Sequence, residues 1–199
     1  MTVLDNARMR GIGARAKALI LHPRSEWELI ATEVATVRSL YVGYVVILAA
    51  IPAVAGLVGD LVFGFGGFGH IYHISIIGIV VAAIIGYALN LGAVYVMGLI
   101  IEAAAPYFGG TKDRMQAMKV AAFFPTASWL AGIFRLIPQL APLQILGLYS
   151  LFILWLGLPK LMNVAEDKAL LYTVTVIVVA IVVTTVISVA VGMATTSMM

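Results

Sequence analysis

Long apolar runs dominate the chain, and five of them approach the length of a membrane-spanning helix. About 20 apolar residues in a helix cross the roughly 30 Å hydrocarbon core of a bilayer. Short segments with glycine, proline and charged residues separate the runs. The predicted spans are residues 39–59, 74–101 with an extension toward Tyr107, 118–137, 140–158 and 169–192.

Positive charges fall at one end of these predicted helices. Under a five-helix arrangement, 11 of the 12 Lys and Arg residues lie on one side, and Arg135 is the exception. Cytoplasmic segments of membrane proteins carry such an excess of Lys and Arg. We therefore expect an all-α integral membrane protein, a bundle of about five transmembrane helices with a cytoplasmic N-terminus and an outward C-terminus.

The segment before the first span has its own character. Residues 1–37 are predicted to form a cytoplasmic or interfacial segment, and residues 38–199 the transmembrane domain. Ser25, followed three residues later by Glu28, has the pattern of a capping box at a helix start. We expect two short helices here that lie on the cytoplasmic surface of the membrane, with a loosely ordered tail as the alternative.

The composition supports this class and excludes others. The chain is 63% hydrophobic and 11% charged, with a mean hydropathy of +1.10, whereas soluble domains carry about 25% charged residues. Lipid must therefore cover part of the surface. The net charge of +3 gives no indication of nucleic-acid binding, and the absence of cysteine excludes disulfides and thiolate metal sites.

Small residues recur at intervals of four in two of the spans. In lipid, such residues let helix backbones approach closely and gain dispersion contacts. We interpret both stripes as helix-packing seams, with a substrate groove as the alternative. The stripes are Gly78, Ala82 and Gly86 in the second span, and Ala180, Thr184, Ser188 and Gly192 in the fifth.

Three polar side chains at membrane depth form a candidate intramembrane site: Asn90, Glu102 and Lys119. A polar group in hydrocarbon is costly and often functional. The structural interpretation is that Asn90 hydrogen-bonds a neighbouring helix and that Glu102 pairs with Lys119 or Arg114. The functional interpretation is a transport path on which the three groups converge.

Catalytic and metal-binding patterns are missing from the sequence. The histidines are His22, His70 and His73, and no nucleophile–base pattern surrounds them. Asp60 shares a predicted outer loop with His70 and His73, but without a firm third ligand we predict no metal site. We expect no enzymatic activity and no cofactor.

Several motifs in order resemble the Yip family of membrane proteins, in its bacterial branch. A Gly109-Gly110 turn follows the long second span, and Phe124 directly precedes Pro125 in the third. The resemblance extends over about residues 12–190. It implies a five-helix membrane domain with a cytoplasmic N-terminus, in agreement with the count of apolar runs.

The eukaryotic members of that family act in vesicle traffic and bind lipid-modified Rab GTPases. They carry an Asp-Leu-Tyr-Gly-Pro motif in a longer N-terminal region, and this chain lacks the motif. We therefore expect no Rab GTPase partner. For the bacterial branch, the resemblance implies neither a reaction nor a substrate.

Our leading hypothesis is a non-enzymatic scaffold or assembly protein of the bacterial inner membrane. It would bind membrane lipids, other membrane proteins or a second copy of itself, with its cationic face against anionic headgroups. The alternative hypothesis is a small transporter, channel or lipid translocator that uses the intramembrane polar residues.

Overall fold

Helices make up almost all of the chain. The structure is a computed structural model that describes residues 11–67, 70–72 and 75–196, with the side chains of 11–64, 75–182 and 185. In chain order the helices are α1 (Ile12–Leu21), α2 (Pro23–Thr32), α3 (Val37–Phe63), α4 (Ile76–Phe108), α5 (Arg114–Leu136), α6 (Pro138–Met162) and α7 (Glu166–Thr196).

Four helices of the described part, α3 to α6, are long and apolar enough to cross a membrane. They coincide with four of the five predicted spans. The fifth predicted span lies within α7, and several side chains of α7 are outside the described residues, so its crossing stays a prediction. The second span includes the predicted extension toward Tyr107, because α4 continues through Glu102 and ends in a 3-10 turn at Ala105–Phe108.

The bundle has two distinct ends. A short antiparallel hairpin of β1 (Phe65–Gly67) and β2 (His70–Tyr72) joins α3 to α4, and the α5–α6 junction lies at the same end. We call this end the hairpin face. The opposite end, which we call the N-terminal face, holds α1, α2 and the turns that follow α4 and α6.

Pro125 interrupts α5 near its middle, because proline has no N–H to donate along the helix. The Thr126 hydroxyl donates to the Phe123 carbonyl at 2.5 Å and contacts the Tyr44 hydroxyl at 2.8 Å. Tyr44 and Thr126 are both buried. The polar groups at the break therefore have hydrogen-bond partners inside the bundle. Such partners are needed because lipid offers none.

The two predicted N-terminal helices exist, and they pack into the bundle rather than resting alone on a membrane surface. The Trp27 indole N–H donates to the Ile153 carbonyl of α6 at 3.0 Å. Its ring lies against Gly157, where an added Cβ would be 2.6 Å from ring atoms. Trp27, Leu19 and Ile30 are all buried. These contacts join α1 and α2 to the transmembrane helices.

The predicted start of α2 is wrong. The helix begins at Pro23, with His22 as the preceding cap residue, and the Ser25 hydroxyl donates back to the His22 carbonyl at 3.1 Å. Proline is favoured in the first turn because its fixed φ suits the helix and its missing N–H would have no partner there. Ser25 therefore lies inside the first turn rather than at the cap.

The contact of Trp27 with Gly157 predicts a sensitive position. Replacing Gly157 with Leu should lower the free energy of unfolding by about 1–3 kcal/mol or more, because the new side chain meets the indole ring. Gly92→Leu on α4 is the matched control, since no atom lies within 4 Å of an added Cβ there. Thermal unfolding in detergent measures both, and equal stability of the two variants would contradict the proposed packing.

Candidate functional site

Charged side chains are buried together where α1 and α2 meet α5. The Arg15 guanidinium lies 3.2 Å from the Glu26 carboxylate and 2.6 Å from that of Glu33. It also stands 5.5 Å from the centroid of the Phe123 ring, within range of a cation–π contact. Arg15, Glu26 and Lys119 are 7%, 1% and 3% exposed. We call Arg15, Glu26, Glu33 and Lys119 the buried charge cluster.

Lys119 holds the end of α2. Its ammonium donates to the Ile30 carbonyl at 2.9 Å and to the Glu33 carbonyl at 2.6 Å. The last carbonyls of a helix have no partner within the helix, and a cation there also meets the negative end of the helix dipole. The two cations and two carboxylates of the cluster balance in charge, so the N-terminal helices are fixed to the bundle without a net buried charge.

The three polar residues predicted as a site lie in three separate contacts. The Asn90 side-chain oxygen accepts from the Trp129 indole at 3.3 Å. The Glu102 carboxylate accepts from the Arg114 guanidinium at 2.7 Å, one of its two expected partners. Lys119 contacts α2 instead. The structure does not bring Asn90, Glu102 and Lys119 together.

The small-residue stripe of α4 lines a groove. Gly78, Ala82 and Gly86 border a cavity of about 310 Å³ whose other walls come from α3 and from Arg135. An added Cβ at Gly86 would meet no atom within 4 Å, so this position makes no close helix contact within the described part. Asn90 lines the same cavity. We call it the α3–α4 groove.

The second stripe is only partly described. Ala180 borders an apolar pocket between α7 and the neighbouring helices, together with Met97 and Phe124. The side chains of Thr184, Ser188 and Gly192 lie outside the described residues, so their role as a seam stays a prediction.

Close helix contacts occur at glycines that the four-residue pattern missed. An added Cβ at Gly98 would be 2.5 Å from the Met118 sulfur, and one at Gly132 would collide with Pro52. A lone glycine that faces a large residue on another helix leaves no periodic signal. Only the tertiary structure identifies these contacts.

The motif residues Gly109 and Gly110 join two helix ends on the N-terminal face. Gly109 ends α4 with φ of +77°, a left-handed conformation that favours glycine. An added Cβ at Gly110 would lie 2.7 Å from the Met162 carbonyl. That same carbonyl accepts from the Thr111 backbone N–H at 2.8 Å. The turn thus requires two glycines to close against α6.

A second cavity opens on the N-terminal face. It has a volume of about 650 Å³ between α2, α6 and the start of α7. Lys160 of α6 pairs with Glu28 of α2 at 3.1 Å across it, and Arg24 and the partly exposed Trp155 line it as well. We call this cavity the N-terminal cleft. Its two tryptophans, Trp27 and Trp155, and Arg24 are of residue types that are enriched at protein interfaces.

Metal-ligand clusters do not occur in the described part of the chain, where no three His, Asp or Glu residues are placed to hold an ion. The side chains of His70 and His73 lie outside the described residues. The polar side chains discussed above form hydrogen bonds and ion pairs between helices of the described part, and some of them line the α3–α4 groove or the N-terminal cleft.

Comparison with known proteins places the chain among membrane proteins. The model of the Yip1 domain matches residues 17–187. Two curated relatives are 28% identical over 160 residues, which is 78% of this chain and 82% of the relative. Both are called inner membrane protein YohC, one from Escherichia coli (strain K12) and one from Escherichia coli O6:H1. No solved structure matches the chain significantly.

The buried charge cluster predicts that Lys119 is essential for docking of α1 and α2. Lys119→Met should cost about 3–5 kcal/mol of stability, because it leaves the carbonyls at the end of α2 without their donor and the cluster with two carboxylates against one cation. Hydrogen exchange of residues 12–32, followed by mass spectrometry, should speed up strongly in this variant.

Lys160→Met is the matched control for Lys119→Met. Lys160 and Glu28 are both well exposed, and an exposed ion pair contributes about 0–1 kcal/mol. The exchange of residues 12–32 should therefore stay close to that of the parent chain. Equal acceleration in the two variants would refute a special role for Lys119.

Proposed function

The chain belongs to the Yip1 domain family, and we propose that it is a non-enzymatic scaffold or assembly protein of the bacterial inner membrane. The observation that carries this proposal is the docking of α2, which the buried charge cluster fixes against α5 and which Trp27 fixes against α6. Because α2 and α6 form two walls of the N-terminal cleft, the cleft is a preformed surface. Preformed surfaces bind partners with a smaller loss of conformational entropy.

The arrangement of polar residues supports a binding role over a catalytic one. Asn90, Glu102 and Lys119 each serve a different helix contact. Catalysis requires a nucleophile, a base or an electrophile gathered around one reacting atom. A scaffold instead requires stable surfaces, and membrane lipids, another membrane protein or a second copy of the chain fit the exposed walls of the cleft.

The proposed topology has five spans, with the N-terminal face in the cytoplasm and α7 as the fifth span. Lys112, Arg24 and Lys160 then lie on the cytoplasmic side, where anionic lipid headgroups attract them. The inner membrane is the proposed location, because the curated relatives are described as inner membrane proteins.

A small transporter, channel or lipid translocator is the second candidate. The α3–α4 groove favours it, since that groove reaches from the hairpin face to Asn90 in the middle of α4. The separation of Glu102 and Lys119 from the groove weighs against a continuous polar path, so we rank this candidate second.

Cysteine labelling tests the topology, and the natural chain has no cysteine to interfere. With a membrane-impermeant maleimide on intact spheroplasts, we expect Gln139→Cys and Met199→Cys to react. Ser25→Cys should react only after lysis. Protection of Met199→Cys would contradict a fifth span, and the reverse pattern at Ser25 and Gln139 would contradict the orientation.

Crosslinking tests the scaffold proposal. A photoreactive residue in place of Trp155 should give a discrete crosslinked product in native membranes, whereas one in place of Ile77, which is exposed on α4, should not. A product of twice the chain mass identifies a second copy. Native mass spectrometry should report the same companion in fixed stoichiometry.

Charge reversal provides the specificity control for the crosslinking. Combining Arg24→Glu with Lys160→Glu should weaken the companion's retention by roughly tenfold, since charged groups at an interface rim govern association. A chain that carries no companion and gives no discrete product at Trp155 would contradict the scaffold proposal.

A further inference from the structure

Two opposite charges border the hairpin end of the α3–α4 groove. Asp60 of α3 and Arg135 of α5 both line the cavity. Within the described part of the chain, neither side chain forms a direct ion pair or hydrogen bond, although the two charges are near enough to attract each other. Each is within one turn of the end of its helix, which is the depth of lipid headgroups in a spanning bundle.

Glycines of α3 fix the position of Arg135. The guanidinium lies over Gly56, where an added Cβ would be 3.0 Å from its central carbon. The Arg135 carbonyl packs so closely on Gly59 that an added Cβ would collide with it. The absence of side chains at Gly56 and Gly59 therefore lets Arg135 lie flat on α3 and reach the groove.

The remaining walls of the groove are small and mostly apolar. Ala53 and Pro52 of α3 face Ala82 and Gly86 of α4, and Asn90 closes the inner end. The Asn90 oxygen is used by Trp129. The cavity is thus apolar along its length and charged with both signs at its mouth.

We infer that the α3–α4 groove binds a zwitterionic aminophospholipid from the leaflet at the hairpin face. The phosphate would pair with Arg135, the primary ammonium with Asp60, and part of one acyl chain would lie along Ala82 and Gly86. This inference deepens the proposed function, on which it rests, by naming a lipid class that a membrane scaffold holds.

Charge complementarity selects this lipid. A guanidinium binds phosphate through paired hydrogen bonds, and a primary ammonium donates hydrogen bonds to a carboxylate. A trimethylated headgroup has the same charge but no N–H to donate. An anionic headgroup without an amine would leave Asp60 unpaired beside a phosphate, with unfavourable like charges.

Native mass spectrometry of the full chain in detergent, after exchange with defined lipids, tests the inference. Phosphatidylethanolamine should be retained at one molecule per chain, about tenfold more tightly than phosphatidylcholine or phosphatidylglycerol with the same acyl chains. Asp60→Asn should abolish the preference for ethanolamine over choline while some phosphate binding remains.

Filling the groove provides a second arm. Gly86→Leu should lose retention of every lipid tested, because the new side chain occupies the open space, and it should keep the parent melting temperature without lipid. Gly92→Leu, on the same helix but away from the groove, should retain phosphatidylethanolamine like the parent chain.

Equal retention of the three lipids by the parent chain, or a preference that Asp60→Asn leaves unchanged, would overturn the inference. Its failure is separable from failure of the scaffold proposal. Crosslinking at Trp155 measures binding of a partner at the N-terminal cleft, which lies at the opposite face. Gly86→Leu leaves that cleft intact.

Discussion

Burial of Arg15, Glu26 and Lys119 beside the half-buried Glu33 is the constraint on which the N-terminal half of the structure depends. Taking Arg15 and Lys119 out of water is costly, and their partners must offset that cost with good geometry. The carboxylates of Glu26 and Glu33 and the carbonyls at the end of α2 do so. Without docked α1 and α2, Lys119 would keep only the side chain of Gln116 on its own helix as a partner, which disfavours the undocked arrangement.

The same demand for polar partners shapes contacts elsewhere in the bundle. The Tyr172 hydroxyl of α7 donates to the Ile101 carbonyl of α4 at 2.6 Å, and the Tyr87 hydroxyl of α4 donates to the Val46 carbonyl of α3 at 2.7 Å. A tyrosine ring packs as an apolar group while its hydroxyl satisfies a second bond at a backbone carbonyl. Tyrosine hydroxyls therefore fix how neighbouring helices are oriented, which aliphatic contacts alone do only weakly.

The helices of this protein were predictable because each membrane span needs about 20 consecutive apolar residues, and such a run can be recognised in the sequence without knowledge of its partners. Four predicted spans coincide with α3 to α6 for that reason. The partners were not predictable: Lys119 contacts carbonyls more than 80 residues away in the chain, and no local pattern records such a contact. The Gly86 stripe looked like a packing seam because periodicity cannot distinguish a close helix contact from a groove.

The indole of Trp27 and its acceptor, the carbonyl of Ile153, are separated by 126 residues. At a synthesis rate of about 5–20 residues per second, α6 leaves the ribosome roughly 6–25 s after Trp27. Docking of α2 must therefore await insertion of α6. During that interval we expect the amphipathic α2 to rest on the membrane surface. Packing of Trp27 on Gly157 is therefore a late step of folding, which can occur only after α6 has been synthesised.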